Sequence, residues 1–289
     1  MKSLAVLFLS LLFISPCFAK NKPDTLSADS VIHLSEKAYA EIKTYTDSGK
    51  LLQTFLMANP FKTAIIFKTA YINTGNINFE CYTIGKSNSL YTLNRTDNVI
   101  QTWWGLLNKT DTPPSMSTAL ASASSASGSS SAIIPKLLLS AEFKKDNFYR
   151  MISKRVLAGQ EQVNGNDCYK ITGTYRLGGS IIIWITKNDF LIRKVETEYI
   201  VDPAKTVATT RKNLVREIAT MKTKNDSVNK KELQATIKTM KMIQKMDSFR
   251  DKTASAAFTV KETFSFFPMV ANKINPDLLK FRPNREVAL

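Results

Sequence analysis

Residues 167–200 read DCYKITGTYRLGGSIIIWITKNDFLIRKVETEYI, and this stretch decides the fold class of the 289-residue chain. Three runs rich in β-branched and aromatic residues, 167–176, 180–186 and 191–200, are separated by Gly178-Gly179 and Lys187-Asn188-Asp189. Short runs of this kind between turn residues are typical of antiparallel strands. The middle run is apolar at every position from 181 to 185, so we expect that strand to be covered on both faces by protein, lipid or ligand.

Short apolar runs separated by turn residues continue on both sides of this stretch, and this pattern predicts a β-rich α+β fold. One amphipathic helix comes first, over residues 27–45, because apolar residues recur there at steps of three and four. Asp47-Ser48-Gly49 follows it as a turn signal. Further strands are predicted at residues 51–57, 63–71, 78–84, 89–93, 98–104, 151–158 and 257–267.

Residues 108–140 interrupt the strand pattern. Pro113-Pro114 is followed by a run of almost only Ala and Ser up to Ser131, and then by a cluster of apolar residues. The small-residue run by itself is typical of a flexible linker, whereas the apolar cluster favours a helix or loop that closes over a surface. The sequence leaves both interpretations open. The residues that would cover such a surface are Ile133, Ile134, Leu137 and Leu138.

A second segment, residues 205–252, is strongly basic. It holds 13 basic and 5 acidic residues, a net of +8, which is half of the formal +16 of the whole chain. Apolar residues such as Leu214, Ile218 and Met221 keep helical spacing, so we predict a basic helical insertion. Its charge favours an anionic membrane surface or an acidic partner protein, although lysine-rich helix faces usually contact only water.

The N-terminus has the composition of a secretory signal peptide. An apolar run over residues 4–14 follows a single lysine, and small residues lead up to Ala19. We therefore expect residues 1–19 to be removed and residues 20–289 to form one domain in the periplasm. In the rival interpretation Cys17 is acylated, as in a lipoprotein. The apolar run is too short to span a bilayer.

Charge and cysteine content narrow the partners and the compartment. The basic balance favours anionic partners. Nucleic acid is excluded from these, because the chain is predicted to be exported and carries no aromatic-plus-basic nucleic-acid motif. Cys81 and Cys168 remain after cleavage, and an oxidising compartment permits a disulfide between them. Two buried free thiols are the alternative.

Enzymatic and metal chemistry find little support. His33 is the single histidine, which excludes a multi-histidine metal site and disfavours a nucleophile–histidine pair. Nucleophile-elbow, P-loop and dinucleotide motifs are absent from the sequence. Glu196 and Glu198 share one face of a predicted strand and could act as acid and base, but alternating charge on an outward face is the ordinary explanation. We expect a non-enzymatic protein with no cofactor and no metal.

An ordered set of short motifs runs through the chain outside residues 205–252. It comprises Tyr45-Thr46-Asp47-Ser48-Gly49, Trp103-Trp104-Gly105, Ile134-Pro135-Lys136-Leu137-Leu138, the hairpin at 165–173, Trp184-Ile185-Thr186-Lys187, Leu191-Ile192-Arg193-Lys194, Ile274-Asn275-Pro276-Asp277 and Phe281-Arg282-Pro283. In this order the motifs resemble the LolA/LolB-like superfamily, in particular its outer-membrane lipoprotein-sorting-like periplasmic proteins. The specificity lies in the ordered set, since no single motif is specific.

The resemblance implies an incomplete, curved antiparallel β-barrel with covering helices over its open side. Its concave face would be apolar and would hold the acyl chains of a lipid or lipoprotein. Burying methylene groups there contributes about 0.8 kcal/mol each. The alternative is that the same side chains only form the core. The expected wall residues are Phe67, Phe79, Ile181, Ile183, Trp184, Ile185 and Phe264.

The resemblance also implies a role. The expected protein is a periplasmic carrier or sensor of lipid or acylated lipoprotein. The alternative is a protein-binding regulator of envelope signalling without lipid cargo, since the same fold occurs in such regulators. The family's carrier has an Arg-Pro at the end of an early strand that helps latch its lid. Here the corresponding stretch reads Ile72-Asn73-Thr74-Gly75, so that latch is missing or moved.

Overall fold

The structure is a computed structural model that describes residues 26–85, 88–176, 178–203 and 256–283, with a few single positions between 205 and 237. In the described residues the helices are α1 Ala28–Glu41, α2 Met116–Ser127, α3 Ile134–Leu138 and α4 Ser140–Phe143. The strands are β1 Thr44–Leu56, β2 Phe61–Ile72, β3 Ile77–Thr83, β4 Ser89–Thr96, β5 Val99–Trp104, β6 Lys109–Asp111, β7 Ile152–Val163, β8 Asn166–Tyr175, β9 Ser180–Thr186, β10 Ile192–Val201 and β11 Phe258–Val270.

All eleven strands belong to one antiparallel sheet in the order β6-β5-β4-β3-β2-β1-β11-β10-β9-β8-β7. Its centre joins the first strand to the last, because β1 pairs with β11 in the register Leu51 opposite Phe264. The edges β6 and β7 do not pair with each other, so the sheet stays open. The predicted β-rich α+β fold, an incomplete antiparallel barrel with covering helices, is confirmed.

One face of the sheet, called the inner face from here on, carries the core. Side chains alternate between the faces of a strand, and Leu51, Phe67 and Ile183 mark the inner side of β1, β2 and β9. Their cluster continues into α1, α2 and α3, which all lie over this face. Helix α1 is held by its buried Tyr39, whose hydroxyl accepts a hydrogen bond from the backbone N–H of Ile192 (3.1 Å).

The predicted end of the first helix is wrong. Helix α1 stops at Glu41, and β1 already runs from Thr44, so the expected turn at 47–49 lies inside a strand. The turn signal is overridden because Asp47 and Gly49 both make packing contacts within the sheet. Asp47 is buried beside Tyr45, which donates a hydrogen bond to it. Gly49 makes room for the Phe67 ring of the neighbouring strand.

The Ala/Ser-rich segment docks on the inner face, which decides between the two interpretations of residues 108–140. Ser115 caps α2 by accepting a hydrogen bond from the N–H of Thr118 (3.2 Å). Buried Ala119 and Ala123 let the helix lie close to the strands, and Leu120 enters the core. At the helix end Gly128 has φ +58°, and a methyl group there would overlap Leu51.

Several remaining predictions differ from the structure or lie outside the described residues. The short strand β6 was not predicted, and β7 extends to Val163, well past the expected end at residue 158. The predicted signal peptide, residues 1–19, lies outside the described residues, as does nearly all of the predicted basic insertion, 205–252. Among the helices of the described part, none has the length and apolar character needed to cross a membrane.

Candidate binding site on the inner face

Six of the seven predicted wall residues lie together on the inner face. Phe67 stacks with Phe79 at a centroid distance of 6.4 Å and tilts against Phe266 at 5.4 Å. The aromatic and aliphatic members therefore form one apolar surface that runs across the middle of the sheet. The six are Phe67, Phe79, Ile181, Ile183, Ile185 and Phe264, and all are at most 1% exposed.

Trp184 lies on the opposite, outer face of the sheet, so the prediction that it belongs to the wall is wrong. Because side chains alternate along β9, it points away from its two isoleucine neighbours. It packs with Cys168 in a small separate cluster. Lys194 Nζ lies 4.4 Å and Lys170 Nζ 5.4 Å from its ring centroid, and its Nε1 donates a hydrogen bond to Glu161 (3.2 Å). These contacts anchor the outer surface of the sheet.

The four predicted cover residues are brought to the inner face. Ile133, Ile134, Leu137 and Leu138 are 1–3% exposed and belong to the same cluster as the wall. They come from α3 and from the residue just before it, so a single short helix places them all. Their side chains fill most of the space between cover and sheet, so an acyl chain would have to displace them.

Polar contacts tie this cover to the sheet at its rim. Arg95, at the end of β4, donates from Nη1 to Glu142 of α4 (2.6 Å) and from Nε to the carbonyl of Gly75 (2.7 Å). Gly75 belongs to the turn where the family latch was expected, so an arginine does reach this place, but from another strand. Tyr91 donates to the carbonyl of Ala119 in α2 (3.4 Å). Within the described residues, these few directional bonds hold the cover to the sheet.

A cavity of about 90 Å³ remains between the cover and strands β8, β10 and β11. Its apolar lining includes Ile133 and Phe264, which belong to the predicted cover and wall. The rest of the lining was not predicted. It consists of Ser129, Phe148, Tyr175, Val195, Thr197, Tyr199 and Glu262.

Glu262 is the charged group of this cavity. It is 6% exposed, and it lies directly between Gln53 of β1 and Thr197 of β10 in the sheet register. Gln53 Nε2 (2.9 Å), Thr197 Oγ1 (3.0 Å) and Tyr199 Oη (3.2 Å) donate hydrogen bonds to its carboxylate. Burial raises the pKa of Glu262 above its usual value, and these hydrogen bonds oppose that shift.

Sequence reasoning missed Glu262 for an identifiable reason. In the run 258–267 it stands between Lys261 and Thr263, and a carboxylate in such a run indicates an outward position. The alternation with Phe264 and Phe266 was the available signal, because residues two apart in a strand share a face. A polar residue in phase with the apolar residues of a strand indicates a buried polar group.

The inner face ends in a half-exposed aromatic lip, formed by Phe55, Phe61 and Phe258. The rings of Phe55 and Phe61 stack with centroids 4.4 Å apart, and Phe258 tilts against Phe55 at 6.4 Å. Phe61 is 46% exposed. Phe55 follows Gln53 by two positions and Phe258 precedes Glu262 by four, so the lip and the cavity lie on the same face of the sheet.

A second buried carboxyl lies under α1, away from the cavity. Asp47 is 4% exposed, and Tyr45 Oη donates a hydrogen bond to its Oδ2 (2.9 Å). Burial raises the pKa of Asp47 to about 7, although the hydrogen bond from Tyr45 works in the other direction. This carboxyl is a source of pH-dependent stability.

Of the remaining candidates, Cys81 lies on the inner face in the same apolar cluster as the wall residues, and the others lie apart from it. Cys81 and Cys168 are both free and buried, on β3 and β8, and burial raises the pKa of their thiols to about 12 and about 11. His33 is exposed on α1. Glu196 and Glu198 face outward and each pairs with a lysine. In the described residues no three His, Cys, Asp or Glu side chains come together as a metal site would require.

Some solved proteins resemble this fold but share little sequence with the chain. No protein-family model matches the sequence, and no curated protein matches it. Among solved structures, a DUF1329 family protein from Desulfovibrio piger ATCC 29098 is 7% identical with a TM-score of 0.31, and the match covers 88% of this chain and 97% of that one. The LolA superfamily protein NE2245 from Nitrosomonas europaea is 8% identical with a TM-score of 0.27 over 60% of this chain and 72% of that one.

MucB is 10% identical to the chain with a TM-score of 0.41, and the match covers 90% of this chain and 65% of that one. Identities of 7–10% and TM-scores of 0.27–0.41 describe a likeness from which no ligand, partner or activity follows. One of these structures is a LolA superfamily protein, which is the superfamily that the ordered sequence motifs resemble.

Proposed function

We propose that the protein is a periplasmic, non-enzymatic carrier or sensor that takes the acyl part of a lipid or lipoprotein onto its inner face. The observation that carries the proposal is the open sheet whose inner face has an apolar wall from Phe79 to Ile183 and, beyond the polar row at Glu262, a half-exposed aromatic lip. A sheet that only packed a core would not need an aromatic surface at its open end. Exposed apolar side chains in contact with one another mark binding surfaces.

The acyl chain would replace the side chains of the cover. The cavity of about 90 Å³ is too small for a lipid, since pockets for drug-sized ligands have roughly 300–1,000 Å³. Helix α2 is built largely from Ala and Ser, so lifting it exposes little apolar surface. An acyl chain of about 16 carbons would contribute up to roughly 13 kcal/mol by burial, against the cost of exposing Leu137, Leu138 and their neighbours.

The alternative function is a protein-binding regulator of envelope signalling that carries no lipid. The net charge of +8 on residues 205–252 favours it, because such a segment suits an acidic protein face or an anionic membrane surface. This segment lies largely outside the described residues. In this function the inner face would be core throughout, and its aromatic lip would have no ligand.

Native mass spectrometry of the protein purified from the periplasm, followed by solvent extraction, tests the proposal. We expect bound acyl species, or uptake of added lysophospholipid. The variant Phe61→Ser should lower uptake, because Phe61 belongs to the lip. Leu56→Ser is the matched control, since Leu56 is 42% exposed but points to the outer face. A ligand-free mass with no uptake of lipid, or equal uptake by both variants, would refute the acyl-binding function.

A further inference from the structure

The lining of the cavity below the cover contains groups that the binding of a hydrocarbon chain would not require. Four aromatic rings, those of Phe148, Tyr175, Tyr199 and Phe264, contribute to its wall, and the carboxyl of Glu262 completes it. Aromatic faces attract cations through their quadrupole, and rings grouped round a small space are the arrangement that recognises quaternary ammonium groups. A carboxylate among the rings adds a full opposite charge.

Glu262 has hydrogen-bond donors but no cation. Its three partners, Gln53, Thr197 and Tyr199, are neutral, and within the described residues neither a salt bridge nor a basic lining residue accompanies it. Buried carboxylates are normally paired with a positive charge. The chain as a whole carries a formal +16, yet in the part that the structure describes no basic side chain balances this carboxyl. Burial accordingly raises its pKa.

The size of the cavity limits what can enter. An apolar cavity of about 150 Å³ holds benzene, which has six heavy atoms, so a cavity of about 90 Å³ takes about four. A trimethylammonium group has this number of heavy atoms. A hydrated metal ion would not use the rings, and an acyl chain would not use the carboxylate.

We propose that this cavity binds a small organic cation of the methylated ammonium class, with Glu262 as its counter-charge and the four aromatic rings as its walls. The proposal deepens the acyl-binding function on which it rests, because it assigns the ligand a cationic head group next to the apolar inner face. The bound cation restores the pairing that Glu262 lacks. Its methyl groups contact the rings of Tyr175, Tyr199, Phe148 and Phe264.

The test uses choline without any acyl chain as the probe, because its trimethylammonium group has the four heavy atoms that the cavity takes, and 3,3-dimethylbutan-1-ol as its neutral isostere. Binding to the full mature protein is followed by ligand-observed NMR titration. We expect saturable choline binding and at least tenfold weaker binding of the isostere, since one desolvated cation–π contact already changes affinity by about tenfold or more. Equal binding of the two probes, or no saturable choline binding, would overturn the proposal.

Variants locate the site. Glu262→Gln keeps the size of the side chain and should weaken choline binding at least tenfold. Glu196→Gln on the outer face of β10 is the matched control and should leave it unchanged. Tyr199→Leu, which keeps Glu262, should weaken binding severalfold, while Tyr199→Phe retains the ring and should restore much of it. If Glu262→Gln binds choline like the parent protein, or fails to fold while Tyr199→Leu binds normally, the site is not the one proposed.

The outcome separates this inference from the proposed function. A protein that takes up lysophospholipid but ignores choline keeps the acyl-binding function and loses the ammonium site. A protein that binds choline through Glu262 but takes up no acyl species keeps the site and loses the carrier function.

Discussion

Replacing Asp47 by Asn should raise the stability of the folded protein above neutral pH and leave it almost unchanged in acid. Asp47 is buried on the inner side of β1, where Tyr45 donates a hydrogen bond to it, and no cation appears among the causes that shift its pKa. Asn has nearly the same shape and keeps an acceptor for Tyr45. The variant therefore removes a titration while leaving the packing in place.

The sign follows from proton linkage. The pKa of Asp47 is raised from 3.8 to about 7 in the folded state, so folded protein holds the proton more tightly than unfolded protein. Its contribution to stability is complete below about pH 4 and is lost as the pH rises to about 7. Each pKa unit corresponds to 1.36 kcal/mol, which gives about 4 kcal/mol over this window. The Asp47→Asn variant does not lose this stability as the pH rises, because its side chain does not titrate.

Urea denaturation of parent and variant at intervals from pH 4 to pH 8 measures the effect. We expect the difference in unfolding free energy to grow by about 4 kcal/mol in favour of the variant, with most of the change below pH 7. Asp97→Asn, at an exposed carboxylate in the β4–β5 turn, is the control and should show no such trend. A pH-independent difference between parent and Asp47→Asn would refute the reasoning.

Three further predictions concern the cover, the sheet and the outer face. Arg95→Ala should lower stability by about 1–3 kcal/mol and speed hydrogen exchange in α3 and α4, because it removes the bond to Glu142; unchanged exchange would show that the rim contact does not hold the cover. Gly49→Ala should cost about 1–3 kcal/mol in urea denaturation, because the added methyl group meets the Phe67 ring and lies 2.8 Å from a backbone oxygen of β11. A neutral effect would mean that the ring moves aside freely. Trp184→Phe should leave lysophospholipid uptake unchanged in native mass spectrometry, since Trp184 faces outward; a loss of uptake would contradict that placement.

Much of the fold could be predicted from local pattern, since most elements carry their own signal. The strands at 180–186 and 192–201 and the turn between them follow from β-branched residues and Lys187-Asn188-Asp189. The errors lie where a tertiary contact overrides a local preference. Asp47-Ser48-Gly49 has turn composition, but the pairing of β1 with β2 and β11 extends it, and no local signal records that pairing.

The candidate site divides in the same way. The apolar wall and cover residues could be predicted because burying them is the dominant favourable term and leaves a mark in composition. Trp184 was misplaced because its strand is apolar at successive positions, so that pattern alone cannot assign a face. Glu262 was missed because a buried carboxylate depends on donors from β1 and β10, which are distant in sequence.

By itself, the sequence determined the β-rich class, the single leading helix and the absence of a multi-histidine site, because each depends on residue type and local spacing. Only the tertiary structure decided that the first strand pairs with the last, that the Ala/Ser-rich segment docks, and that Glu262 lies among four aromatic residues without a counter-charge in the described part of the chain. These features arise from contacts between residues far apart in the chain. Such contacts form when the sheet assembles, and no window of sequence contains both partners.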